Sequence, residues 1–169
     1  AASIYTADFP KHGGYLLGGF GRYGTNYPLR AVVSLIGLGA FTSDQSIFAI
    51  AVTDHDLRPL SSATPYTLHL RRTPPVTEGW SLTVYTTQGF LVPNAIDRYE
   101  FSQTSKLTHN PDGSVDILLQ QDRPTAAGMA ANWLPTPASG GFEVIWRLLA
   151  PQPKAIGGIL DGRGWQPPA

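Results

Sequence analysis

From residue 46 onward the chain consists of short runs of β-branched, aromatic and aliphatic residues, each stopped by Gly, Pro, Asn or Asp before it reaches helical length. That punctuation constrains the fold more than any other feature, because such residues suit a pleated surface whose side chains alternate faces at every position. Runs at 47–53, 66–72, 81–87, 115–121 and 142–149 read as strands. Between them stand Asp54-His55-Asp56, Thr73-Pro74-Pro75, Gln88-Gly89 and Asn110-Pro111-Asp112-Gly113, the last with Pro and Gly where a type I turn takes them. The spacing predicts an all-β, mainly antiparallel domain, a jelly-roll-like β-sandwich. The 18 glycines and 15 prolines in 169 residues fit that reading and not a helical one.

Two segments precede the strands. Residues 1–26 carry six glycines between Gly13 and Gly24, interleaved with Tyr5, Phe9, Tyr15, Phe20 and Tyr23, without a helical period. This reads as an extended arm ahead of a single domain at 27–169. Asn26 can then cap a helix, Pro28 suits its first turn, and Ala31, Val32, Val33, Leu35, Ile36, Leu38 and Ala40 place apolar groups on every face. The expectation is one buried helix near the N-terminus, ending near Gly39. The segment 164–168, Gly-Trp-Gln-Pro-Pro, reads as a strap over the domain.

Charge narrows the partners. Twelve Lys and Arg balance twelve Asp and Glu, and charged residues make up only 14% of the chain. No surplus of positive charge exists to displace counter-ions from nucleic acid or to meet anionic headgroups. The longest apolar stretch, 31–41, is interrupted by Ser34, Gly37 and Gly39 and falls short of the roughly 20 residues a membrane span needs. With no cysteine there is no disulfide, thiolate nucleophile or Cys-ligated metal. The small-residue start Ala1-Ala2 suggests export, to the periplasm or the medium.

Chemical motifs are weighed against plainer explanations. Gly19-Phe20-Gly21-Arg22-Tyr23-Gly24 matches the dinucleotide pattern, but Thr25 to Pro28 separate it from the helix whose amides would meet a pyrophosphate, and no βαβ alternation follows. No G-x-S-x-G elbow accompanies His12, His55, His69 or His109. Asp54-His55-Asp56, and His109 with Asp112 and Asp116, lack a defensible ligand spacing, so no metal and no cofactor is expected. Trp80, Tyr85, Arg98, Tyr99, Asn132, Trp133 and Arg147 are more informative, because stacking faces and forked donors suit sugars, carboxylates and aromatic small molecules. Their plainer role is core packing. Alternation along 142–149 puts Trp146 with Phe142 and Val144, and Arg147 on the other face with Glu143 and Ile145, as an ion-paired or a cleft residue.

In order along the chain, Gly79-Trp80-Ser81-Leu82-Thr83-Val84-Tyr85, Asn94 with Asp97-Arg98-Tyr99, Asp112-Gly113-Ser114, Asn132-Trp133-Leu134-Pro135-Thr136-Pro137, the stretch 147–151 and the ending 165–168 resemble the domain-of-unknown-function family 1214 over residues 27–169. The resemblance implies a jelly-roll-like sandwich with a helix near its start, often found in bacterial proteins beside a companion family, 1254, on its N-terminal side. No reaction comes with it. Gly79 replaces the usual aromatic before the Trp, and Thr86 the usual acid after the Tyr.

Three roles are carried forward. The first is a module for a small polar or carbohydrate-like ligand, built on the seven residues named above. The second is a self-assembling subunit whose arm adds a strand to a neighbour's sheet. The third is a hydrolase using the same cleft through Ser81 or a carboxylate.

Overall fold

The computed structural model describes residues 2–5, 15–16, 21–36, 41–42, 44–54, 56–71 and 74–152. Among these residues nine strands and one α-helix follow in order: β1 (Ala2–Tyr5), β2 (Tyr15–Leu16), α1 (Tyr27–Ile36), β3 (Ser46–Ala51), β4 (Tyr66–Leu70), β5 (Val76–Thr86), β6 (Glu100–Ser102), β7 (Val115–Gln120), β8 (Trp133–Pro135) and β9 (Phe142–Pro151). They form a four-stranded sheet, β1-β4-β7-β8, and a five-stranded sheet, β2-β3-β9-β5-β6. Every pairing of the larger sheet is antiparallel, whereas the smaller sheet adds parallel edge pairs, β1 to β4 and β7 to β8. The chain is therefore all-β, mainly antiparallel, with little helix. The two sheets share one hydrophobic core.

The alternation that marked the strands decides which residues face inward. Along β9 Phe142, Val144, Trp146 and Leu148 are buried and alternate with partly exposed Glu143, Ile145 and Arg147. Along β5 Trp80, Leu82 and Val84 are buried on the same side, with Leu82 beside Trp146 and Val84 beside Val144. The smaller sheet contributes Tyr66, Leu68, Leu70, Ile117, Leu119 and Leu134. These side chains make one continuous core between the sheets, and each fully buried Leu or Ile contributes about 1.5–3 kcal/mol through the water it sheds. Trp146, read from sequence as core, is 3% exposed there.

Local chemistry sets the ends of elements. The Asn26 side chain accepts the Leu29 amide at 3.1 Å, the cap that the sequence suggested. The Asn110-to-Gly113 turn closes through Gly113 N–H to Asn110 O at 2.9 Å, with Gly113 at φ 83°, a conformation that costs a side chain steric strain. In β5 the ladder to β9 shifts between Val76 and Gly79, and Gly79 at φ 143° carries that irregularity.

One expectation meets a different structure. The helix forms but is not buried: among its described side chains only Val33 is enclosed, and Leu35 is 87% exposed. The core between the sheets is filled by strand and loop residues, and no described strand packs along the helix. Of residues 1–26, β1 pairs with β4 and β2 with β3. The end of the helix near Gly39 and the strap at 164–168 lie outside the described residues.

Candidate functional site

The seven side chains singled out from sequence do not converge on one hollow. Arg147 and Tyr85 meet on the outer face of the five-stranded sheet, Arg98, Asn132 and Trp133 gather around β8, Tyr99 stands apart, and Trp80 belongs to the core.

The outer-face group is built by register. Ser81 of β5 and Phe48 of β3 both lie opposite Arg147 of β9, while Thr83 lies opposite Ile145 and Tyr85 opposite Glu143. Arg147 donates through Nη1 to Thr83 Oγ1 at 3.1 Å and through Nη2 to the Tyr85 hydroxyl at 2.7 Å. Its guanidinium carbon sits 5.6 Å from the Phe48 ring centroid and 5.4 Å from that of Tyr85, within cation–π range of both. Thr83, only 2% exposed, passes the contact on by donating to Glu100 Oε2 at 3.3 Å. No carboxylate of the described residues lies within 4.0 Å of Arg147. The cation is thus partly withdrawn from water, aimed by two rings, and bonded only to neutral hydroxyls. On the same face burial pushes the Glu143 carboxyl above its ordinary 4.5.

Around β8 the polar side chains are used for structure. Asn132, 2% exposed, accepts the Thr108 amide at 2.8 Å and donates to Thr108 O at 2.8 Å and Asp116 O at 3.0 Å. Trp133 donates from Nε1 to Gln120 O at 2.9 Å. Arg98 donates through Nη1 to Ala130 O and Trp133 O, both at 2.8 Å, with its guanidinium 5.5 Å from the Phe101 ring centroid. The three side chains fasten the short 3-10 turn Met129–Asn132 and the start of β8 to the rest of the fold. The Tyr99 hydroxyl donates to Asp97 Oδ1 at 3.1 Å, which raises the pKa of that phenol.

The other candidates take local roles. Asp54 Oδ1 accepts the Asp56 and Arg58 amides, organising its loop, and His55 lies outside the described residues. His69 Nδ1 meets Asp116 Oδ1 at 2.6 Å across β4 and β7, and Asn110 donates to the other oxygen of Asp116. Among the described residues no three His, Cys, Asp or Glu side chains are grouped to hold a metal. No helix among them is long and apolar enough to cross a membrane.

Sequence reasoning missed Phe48 and Thr83 at the outer face. Alternation within 46–51 and 76–86 does place both outward, but only the pairing register brings Phe48 of β3 and Thr83 of β5 to the two sides of Arg147.

A two-sheet sandwich with a polar, aromatic-flanked outer face thus describes the class of protein. The chain belongs to the family described as "Protein of unknown function (DUF1214)", whose profile matches residues 45–153. No curated protein matches it. Its fold is similar to the crystal structure of the VPA0106 protein from Vibrio parahaemolyticus, with a TM-score of 0.66 at 19% identity over 82% of this chain. The chain spans 33% of that protein's length. A crystal structure of an uncharacterised Burkholderia cenocepacia protein also matches, at a TM-score of 0.41 and 17% identity, over 64% of this chain and 27% of the other.

Proposed function

We propose that this domain is a binding module for small anionic ligands, carbohydrate acids among them, seated on the outer face of the five-stranded sheet over Arg147. The reading rests on one observation. A partly buried guanidinium is oriented by Phe48, Tyr85 and Thr83 and carries no described counter-ion within 4.0 Å. Removing a cation from water is costly unless an anion answers it, and a forked donor fixed between rings is suited to a planar carboxylate. The flanking rings add a stacking surface for a sugar face, and Ser81, opposite Arg147, adds a hydroxyl.

The probes are glucuronate and glucose, which differ in the carboxylate. Calorimetric titration should give tighter, salt-sensitive binding of glucuronate and none of it in Arg147→Met, a replacement that removes a desolvated charge and keeps the fold. Equal affinity for the two sugars, or glucuronate binding unchanged in Arg147→Met, overturns the assignment.

One observation favours a hydrolytic role for the same face, the burial that keeps the Glu143 carboxyl protonated to higher pH and suits it to a general acid. Release of nitrophenol from p-nitrophenyl glucuronide that disappears in Glu143→Gln would support it. No turnover by the wild-type domain rejects it.

A further inference from the structure

The residues around Arg147 divide by strand into a polar side and an apolar side. On β5, Thr83 and the Tyr85 hydroxyl accept from the guanidinium, and Thr83, 2% exposed, spends its own proton on Glu100 Oε2 at 3.3 Å. On β3 and β9 the same face carries Phe48 opposite Arg147 and Ile50 opposite Ile145. Phe48, Ile50 and Ile145 are partly exposed and alternate with Ile47, Ala49, Val144 and Trp146, which are buried in the core. Successive outward positions along a strand stand about 6.6–6.8 Å apart, and directly opposed ones about 4.5–5.5 Å. The three side chains therefore make one contiguous apolar surface beside the cation.

A saccharide is recognised through hydroxyls that each need a partner, and the Thr83 hydroxyl is already engaged as both acceptor and donor. An apolar body needs no such partner and gains by leaving water over the isoleucines. We infer, on the anion-binding reading of this face, that the ligand held at Arg147 is an amphiphile, an aryl or short alkyl acid. Its carboxylate takes the guanidinium, and its apolar body lies on Phe48, Ile50 and Ile145. The bonds to Thr83 and Tyr85 use a minority of the guanidinium N–H groups, so donors remain for a carboxylate. Phe48, within cation–π range of Arg147, then joins the charged and apolar halves of the site.

The test is calorimetric titration with phenylacetate, 2-phenylethanol and glucuronate, in which the first two compounds share the ring and the two acids share the charge. Phenylacetate should bind about tenfold more tightly than glucuronate, the gain expected when about two methylene-sized groups leave water, and with a more negative heat-capacity change. 2-Phenylethanol, which lacks the anion, should bind at least about tenfold more weakly than phenylacetate. Ile50→Thr and Ile145→Thr keep a β-branched side chain and trade an ethyl group for a hydroxyl. Each should lower the ratio of phenylacetate to glucuronate affinity several-fold. Glucuronate that still needs Arg147 but binds as tightly as phenylacetate overturns the amphiphile inference and leaves the anion site standing. An alcohol as tight as the acid, or an affinity ratio unmoved by both isoleucine variants, likewise overturns the inference. If neither acid binds in an Arg147-dependent way, both readings fall together. The wild-type comparison decides the matter even where an isoleucine variant is unstable.

Discussion

Replacing Asn132 distinguishes a structural side chain from a ligand contact in a way that can be calculated. Its amide accepts from Thr108 N–H at 2.8 Å and donates to Thr108 O and Asp116 O at 2.8 and 3.0 Å, while only 2% of the residue is exposed. Each such bond is worth about 1 kcal/mol net, and a partner left dry costs about 1–3 kcal/mol. Thr108 is exposed and can turn partly to water, whereas Asp116 O lies within a central strand of its sheet. Asn132→Ala should therefore lower the unfolding free energy by about 2–4 kcal/mol.

Asn132→Asp sharpens the test. One carboxylate oxygen can still accept the Thr108 amide, but the other then faces two carbonyl oxygens where Asn132 offered an N–H. Burial and those carbonyls raise the folded pKa of the new acid above its unfolded value of about 3.9. The folded state then binds the proton more tightly, so the variant is least impaired at low pH and loses stability as pH rises through the raised pKa. Urea unfolding followed by tryptophan fluorescence, at about pH 5 and about pH 7, should rank the aspartate variant below alanine at the higher pH and narrow the gap at the lower. A cost below about 1 kcal/mol for Asn132→Ala, or an aspartate variant as stable as the wild type at about pH 7, refutes the reasoning.

Glu143 predicts a second pH dependence: with its pKa raised by burial, stability falls as pH climbs from 4.5 through the raised value, and Glu143→Gln should remove that fall and gain stability at neutral pH, seen by melting both proteins across the range. Leu82→Ala, in the centre of the core and fully buried, should cost about 2–5 kcal/mol, whereas Leu35→Ala, on a residue 87% exposed, should stay within about 0.5 kcal/mol in the same denaturation assay. Gly113→Ala meets open space but keeps φ 83°, so it should lose about 1–2 kcal/mol through backbone strain alone, read from the shift in urea midpoint.

The longer strands of both sheets are legible from residue type. The predicted strands at 115–121 and 142–149 coincide with Val115–Gln120 and Phe142–Pro151, because a half-buried strand writes its two faces into alternate residues. The edge strands Glu100–Ser102 and Trp133–Pro135 have three residues each, too few to display a period, and are held by neighbours distant in sequence. The helix shows where composition misleads. Apolar groups on every side usually mean burial, yet burial also needs a partner surface, and both sheets have turned their apolar faces to each other. The same limit applies to the site. Arg147 and Tyr85 were recognisable as chemistry, but bringing them together depends on a nine-residue register between β5 and β9, a non-local property that no window of sequence contains.

That ladder also separates two kinds of position. A residue on its inner side, such as Trp80, answers to core packing, so its replacement is felt by the whole sandwich. A residue on the outer side, such as Arg147, is held by cross-strand neighbours that take little part in the core, and its chemistry can change without loosening the sandwich. Binding at Arg147 should therefore be separable from stability by substitution, whereas a change at Trp80 should lower stability. A ligand-induced rise in melting temperature with glucuronate should consequently vanish in Arg147 variants that keep the wild-type stability.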